Sequence, residues 1–283
     1  MHELRPNGVS SSCTMGTTDE TRERSLDGAA LCRGMLIINA DDWGGWQSAT
    51  DAALACFRAR RITSATAMVY MEDSERAASI AGDTTLDIGL HINFNQPFTG
   101  RNSPPALAAA HDRVCGFLRC NKYAQLVYHP GLREAFRTVF QAQLDEFVRL
   151  YGHEPSHFDG HQHMHLCANS LLGGFIPNGS SVRRSFSFWP GEKSLLNRAY
   201  RRWVDGRLEK RHLAADYFFA LSQCLDGPRL GRVLEVAKTA TVELMTHPEN
   251  TPEQELLLSD RFGDELHGLT TGTYAKLKSV KLP

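Results

Sequence analysis

Short apolar runs of strand length alternate with amphipathic stretches of helical length along this chain, and several of the runs end in an acid or a histidine. Met35 to Asn39 (MLIIN) is such a run, closed by Ala40-Asp41-Asp42 and Gly44-Gly45, which reads as a buried strand leaving its sheet. Ser48 then caps a helix expected to reach Arg60, with Ala52, Ala53, Cys56 and Phe57 at helical spacing. Ile62 to Tyr70 predicts a second strand, Asp73 to Ala81 a second helix and Leu86 to Phe94 (LDIGLHINF) a third strand. Regular alternation of this kind specifies an α/β fold with a parallel sheet.

Residues 95–130 hold Pro97, Gly100, Pro104, Pro105, Gly116 and Pro130, so a long irregular insertion is expected there, of the kind that covers a site. Leu132 to Tyr151 predicts a strong amphipathic helix, stopped by Gly152 and Pro155. Beyond the stretch from Ser156 to Leu166 come a strand near Val182 to Phe188, a helix from Ser194 to Leu208 and a strand from Tyr217 to Leu221. A helix from Arg229 to Ala237, a strand from Thr241 to Met245, a helix from Thr251 to Arg261 and a basic tail complete the chain. A single domain over 35–283 fits the length. Residues 1–34 are polar, carry too little apolar surface to fold and lack the apolar core of a signal peptide, so they read as a flexible extension.

Composition removes several function classes. The balance of 31 Lys+Arg against 32 Asp+Glu argues against nucleic-acid binding, which needs many cations on one face. The densest basic stretch, Arg198, Arg201, Arg202, Arg207, Lys210 and Arg211, is interrupted by Asp205 and Glu209 and reads as a solvated helix face. No apolar run approaches the roughly 18 residues of a membrane span. The seven cysteines form no CxxC pair, which fits a reducing compartment and a cytoplasmic protein.

In parallel α/β folds the strand ends gather on one face, where ligands bind. Asp41 and Asp42 end the first strand, His91 lies near the end of the third, His157 to His165 follow the helix ending at Tyr151, and His247 follows the last strand. Adjacent aspartates on a strand point to opposite sides, so the turn at Gly44-Gly45 must reorient one of them. One carboxylate could then bind a metal while the other accepts a proton from water, or either could cap the next helix.

His91 alone could be a packing residue. Five histidines at 153, 157, 161, 163 and 165 are costly to charge and hard to pack without a use; as a strand 161, 163 and 165 share a face and as a helix 161 and 165 do, so two rings can converge either way. Two histidines with one aspartate leave coordination positions open, as a catalytic metal site requires. Alternatively HQHMH is a surface tract that binds metals opportunistically. Asp159 could fix a histidine tautomer or bind metal itself. His247 could donate a proton or be an ordinary turn histidine before Pro248. Trp43 and Trp46 could stack on a sugar or simply pack, and Arg183 and Arg184 could grip a polar substrate or pair on the surface.

NADDWG at 39–44, ITSATAMV at 62–69, GLHINF at 89–94, HFDGHQHMH at 157–165 and ELMTHP at 243–248 together resemble, in order, the blocks of the YdjC-like carbohydrate deacetylases. That group includes chitooligosaccharide deacetylases and the hopanoid-biosynthesis deacetylases. The resemblance implies a distorted (β/α) barrel holding one divalent ion, Mg²⁺, Zn²⁺ or Co²⁺, on Asp42, His91 and His161. It further implies Asp41 as base and His247 as acid. On the residues themselves, Asp159, His163 and His165 are candidates to support the ligands, and Trp43 and Arg183 to touch substrate. The implied reaction removes an N-acetyl group from an amino sugar. An O-deacetylase or other amidase, and a non-catalytic sugar-binding protein, are the alternatives; a homodimer is the expected assembly. Trp43 where the family usually has Phe, Gly160 where it often has Ser, and Gly45-Trp46 are departures that bear on the substrate.

Overall fold

The computed structural model describes residues 34–101 and 103–281. The sequence expectation of an extension over 1–34 therefore falls, apart from Gly34, outside the described residues. Seven parallel strands, β1 (Met35–Trp43), β2 (Ser64–Ala67), β3 (Asp87–Ile92), β4 (His157–Gly160), β5 (Ser181–Val182), β6 (Tyr217–Ala220) and β7 (Thr241–Thr246), form one sheet in the order β5-β4-β3-β2-β1-β7-β6. The sheet curls into a half-barrel surrounded by helices, a single α/β domain.

The strands sort their side chains by alternation. Leu36, Ile38 and Ala40 of β1, Ile88, Leu90 and Ile92 of β3, Phe158 of β4 and Val242 and Leu244 of β7 join the main apolar core under the helices. The opposite set, Asn39, Asp41, Ser64, Thr66, His91, His157, Asp159, Ser181 and Glu243, is buried as well, yet polar. Barrel interiors are ordinarily filled with branched apolar side chains. Here only the two ends follow that rule, with Met35 and Ile37 clustered at one and Phe218, Ala220 and Met245 at the other.

Most helices follow their apolar stripes: α1 (Gln47–Arg58), α2 (Ser74–Gly82), α4 (Arg133–Tyr151), α6 (Leu195–Leu208) and α7 (Arg229–Ala237). Four local expectations change. α1 starts without a side-chain cap, Trp46 occupying that position in place of Ser48, and neither Asp41 nor Asp42 caps it. The insertion at 95–130 is largely the helix α3 (Pro105–Arg119), whose buried Leu107, His111, Val114, Cys115 and Leu118 explain its order; Pro104 and Pro105 start that helix and do not break it. α5 (Ala168–Gly173) is a short addition. The helix expected from 251 to 261 is two helices, α8 (Thr251–Leu258) and α9 (Asp260–Leu266), because the Ser259 hydroxyl accepts from the Phe262 amide and begins a new turn.

The expected basic tail contains a helix, α10 (Tyr274–Lys281). Its Tyr274 is wholly buried, stacks on the His157 ring at 3.8 Å and 11°, and donates to Glu243. His157 also meets the Asn39 side-chain oxygen at 3.2 Å. Gly89, on the neighbouring strand, lies so close that an added Cβ would come 2.5 Å from the His157 ring and 2.7 Å from its carbonyl oxygen. Because that ring is stacked by Tyr274 and held at its two nitrogens by Asn39 and Ser156, it has little freedom to retreat. Gly89→Ala is expected to cost about 1–3 kcal/mol in urea unfolding, with an unchanged m-value.

Candidate metal centre and active site

β1 carries the first part of the site, and its geometry breaks at one residue. Pairing with β2 shifts register between Ala40 and Trp43, and Asp42 takes a left-handed backbone with φ of 63°. Aspartate tolerates that conformation better than most residues. The reorientation expected at Gly44-Gly45 thus occurs one step earlier, at Asp42 itself. Asp41 keeps strand geometry and points into the half-barrel, while Asp42 turns toward its mouth.

Two histidines meet Asp42 there. The Oδ1 atom of Asp42 lies 3.0 Å from His161 Nδ1 and 3.3 Å from His91 Nε2. Ligand atoms from all three residues fall within 4.8 Å of one another. The other ring nitrogen of His91, Nδ1, is 2.7 Å from Asp159 Oδ1, an arrangement that fixes the ring and directs Nε2 outward. His247 Nε2 lies 3.9 Å from Asp42 Oδ2. The His161 and His247 side chains are 13% and 26% exposed, so both stand at the opening while Asp42 and His91 lie beneath.

His161 arrives by a turn that neither a strand nor a helix pattern describes. β4 stops at Gly160, and His161–Leu166 forms a 3₁₀ segment kinked at Gln162 and His163, both left-handed. The face-sharing expected of 161, 163 and 165 therefore does not arise. Only His161 reaches the site. His163 packs edge-on against Phe186 at 4.5 Å, and His165 is buried with Nε2 on the Arg183 carbonyl at 3.0 Å. Burial pulls His163 down to about 3 and His165 well below its ordinary value, so both rings are neutral wedges and do not support the ligands.

Under the mouth lies a charge network centred on Arg183. Its Nη1 and Nη2 each sit 2.7 Å from an Asp41 oxygen, Nη1 is also 2.7 Å from Asp159 Oδ2, and Nε donates to Glu243 at 2.7 Å. The Phe218 ring backs the guanidinium at 4.9 Å. Arg183 is wholly buried, so the expectation that it touches substrate is corrected: its donors are consumed inside the protein. Trp43 is likewise buried in the main core and offers no face to a sugar, while Trp46 is partly exposed.

The electrostatics follow from this arrangement. Burial alone would raise Asp41, but the Arg183 charge beside it, with His91, holds it well below the usual carboxylate range. Burial likewise opposes ionisation of Asp42, and hydrogen bonding to His161 and His91 overrides it. Burial would lower His91, but Asp159 and then Asp41 raise it well above an ordinary histidine. Glu243 is pushed up to about 7 by burial, against the pull of Arg183 and Tyr274.

A second candidate ligand set, Asp41, His91 and Asp159, exists beside the first. Its two carboxylates are already bound by Arg183, whereas Asp42 meets only imidazoles. Asp42, His91 and His161 are therefore the set with charge to spare. Their spacing, their nitrogen and oxygen donors and the anchored His91 ring suit a zinc-type or magnesium-type cation with positions left open.

Comparison with known proteins agrees with this architecture. The family model described as YdjC-like protein matches residues 35–276. The chain belongs to the YdjC-like family. A carbohydrate deacetylase of Mus musculus is 31% identical over 149 residues, 48% of this chain and 44% of that protein. A chitooligosaccharide deacetylase of Proteus mirabilis is 30% identical over 135 residues, 47% of this chain and 50% of that protein, and a carbohydrate deacetylase of Danio rerio is 28% identical over 133 residues, 46% and 42%. The matched stretch thus spans about half the length of these relatives, or less. A solved structure from Enterococcus faecalis V583, described provisionally as a cellobiose-phosphate cleavage protein, shares the fold with a TM-score of 0.63 at 18% identity over 87% of this chain and 99% of that one.

Other residues that shape this YdjC-like site carried no sequence signal of their own. Thr66 donates to Asp159 at 3.0 Å and, with Asn39, joins the two aspartates of the interior. Glu253 accepts from the His247 amide at 2.9 Å and fixes that loop. Glu249, raised to about 7 chiefly by burial, sits two residues past His247. Alternation along β7 could have marked Glu243 as inward-facing, and an in-strand acid of that kind is a usable signal.

Removing the central guanidinium would leave Asp41, Asp159 and Glu243 buried without their shared countercharge. Arg183→Met is expected to destabilise the fold by about 3–5 kcal/mol, and Arg183→Lys to recover only part of it because ammonium lacks the fork. Chemical denaturation of the two variants at neutral pH measures the difference.

Proposed function

We propose that residues 35–283 form a divalent-metal-dependent deacetylase that removes the N-acetyl group of an amino sugar or short oligosaccharide. The observation that carries this reading is the meeting of His91, His161 and an otherwise uncompensated Asp42 at the mouth of the half-barrel. Membership of a family whose named relatives are carbohydrate and chitooligosaccharide deacetylases supports the substrate class. Among the described residues no helix is long and apolar enough to cross a membrane.

Asp42, His91 and His161 would hold the ion. Mg²⁺, Zn²⁺ or Co²⁺ there would supply Lewis acidity toward an acetyl carbonyl and toward water. Asp41 is the base that takes a proton from the attacking water. Arg183 occupies one lone pair on each Asp41 oxygen, orienting the carboxylate and keeping it ionised across the neutral range. His247, partly exposed at the opening, delivers a proton to the departing amine. Asp159 acts through His91 by fixing which ring nitrogen faces outward. Beside His161, a groove of about 410 Å³ lined by Gln162, His163, Arg184, Asn197, Tyr200 and Arg201 has room for the rest of a sugar.

Acetate release from diacetylchitobiose, compared with an O-acetylated sugar, tests the bond broken. The amide should be the better substrate, chelation should stop release, and Mg²⁺, Zn²⁺ or Co²⁺ should restore it. Asp41→Asn and His247→Ala should each lower kcat by roughly 10²–10⁴-fold. Release that persists after both chelation and His91→Ala would sink the metal-dependent reading, and cleavage of the ester alone would replace the amide.

Metal affinity provides a separate check that does not depend on turnover. Calorimetric titration with Zn²⁺ should show one site, weakened at least about tenfold by Asp42→Asn or His161→Ala and by a similar factor when Asp159→Asn loosens His91.

A further inference from the structure

Helix α6 carries its hydrophobic side on the wrong face for a globular protein. Leu195 is 80% exposed, Leu196 82%, Trp203 50% and Tyr200 38%. At 3.6 residues per turn these four and the exposed Ala199 fall within one arc of about 140°, which the exposed Arg207 enters one turn beyond Trp203, while Val204 and Leu208 on the other side join the protein interior. A helix ordinarily turns such an arc inward, and clustered exposed apolar side chains mark a contact surface.

The charge around the arc indicates what the contact is. Residues 193–211 contain seven Lys or Arg against two Asp or Glu, in a chain whose net charge is -1. Arg184 is matched by Asp205 and Glu209, but among the described residues Arg198, Arg202 and Arg207 make no ion pair. By helical position Arg198 and Arg202 border one edge of the apolar arc. Exposed Leu and Trp flanked by unmatched arginines is the composition of a helix that lies in the headgroup region of an anionic bilayer. A second copy of this chain suits the face poorly, because a two-fold contact would set the same arginines against each other.

We propose that α6 docks this protein on an anionic lipid bilayer, with Leu195, Leu196 and Trp203 entering the boundary between headgroups and acyl chains. Arg198 and Arg202 lie against the lipid phosphates. The helix runs parallel to the membrane plane and spans nothing. This inference does not rest on the chemistry at the metal site, although Tyr200 at the edge of the arc also lines the groove beside His161.

Flotation of the full chain with phosphatidylcholine vesicles, with and without 30% phosphatidylglycerol, reads the proposal directly. Binding should be at least about tenfold tighter to the anionic vesicles and should weaken as salt is raised. Leu196→Glu with Trp203→Glu should lower it by at least about tenfold, and Arg198→Gln with Arg202→Gln by a similar factor, without a change in melting temperature. Lipids brominated on their acyl chains should quench wild-type tryptophan fluorescence more than that of Trp203→Phe, a readout that needs no disruptive variant. No binding, equal binding to neutral vesicles, or full binding by the glutamate variant overturns the proposal. So does a dimer in sedimentation equilibrium that the glutamate variant dissociates, which would assign the face to a second copy.

Discussion

A guanidinium buried among three carboxylates governs the interior of this protein. Asp41, Asp159 and Glu243 come from three different strands, and each would face a large desolvation penalty alone. Arg183 lets them share one cation, and the raised Glu243 shows the compensation to be incomplete. The network ends directly beneath Asp42, whose Oδ1 meets the His91 ring that Asp159 anchors. A cation at the mouth is the electrostatic continuation of the same pattern.

The network also divides labour between two neighbouring aspartates. Strand geometry sends Asp41 down to Arg183, whereas the left-handed backbone at the next residue sends Asp42 up to the histidines. One carboxylate is neutralised within the protein and held in place, and the other is left with charge to offer. A single backbone dihedral separates a carboxylate paired inside the protein from one presented at the mouth, and the arrangement needs no additional acidic residue to do so.

The βα alternation was legible because it depends on local periodicity, and the gathering of Asp41, Asp42, His91, His161 and His247 at strand ends followed from parallel topology. Residues whose roles depend on tertiary contacts were not legible. Arg183 follows a two-residue strand, so nothing local distinguishes it from its neighbour Arg184, which is only partly buried. The paired left-handed residues Gln162 and His163 defeat both the period of two and the period of 3.6, which is why the HQHMH histidines separate. Trp43 looked like a loop aromatic but lies within β1, and Tyr274 was hidden in a basic tail whose helix forms by plugging the sheet.

The order in which these partners occur along the chain has its own consequence. Arg183 lies 142 residues after Asp41, and Tyr274 closes over Glu243 from 31 residues further along. During synthesis the first four strands emerge with their inward acids unmatched, and the stacking contact of Tyr274 waits until all seven described strands have been made. Sealing of the interior is thus a late event, because the guanidinium that gathers the first acids and the tyrosine that covers the last both follow them along the chain.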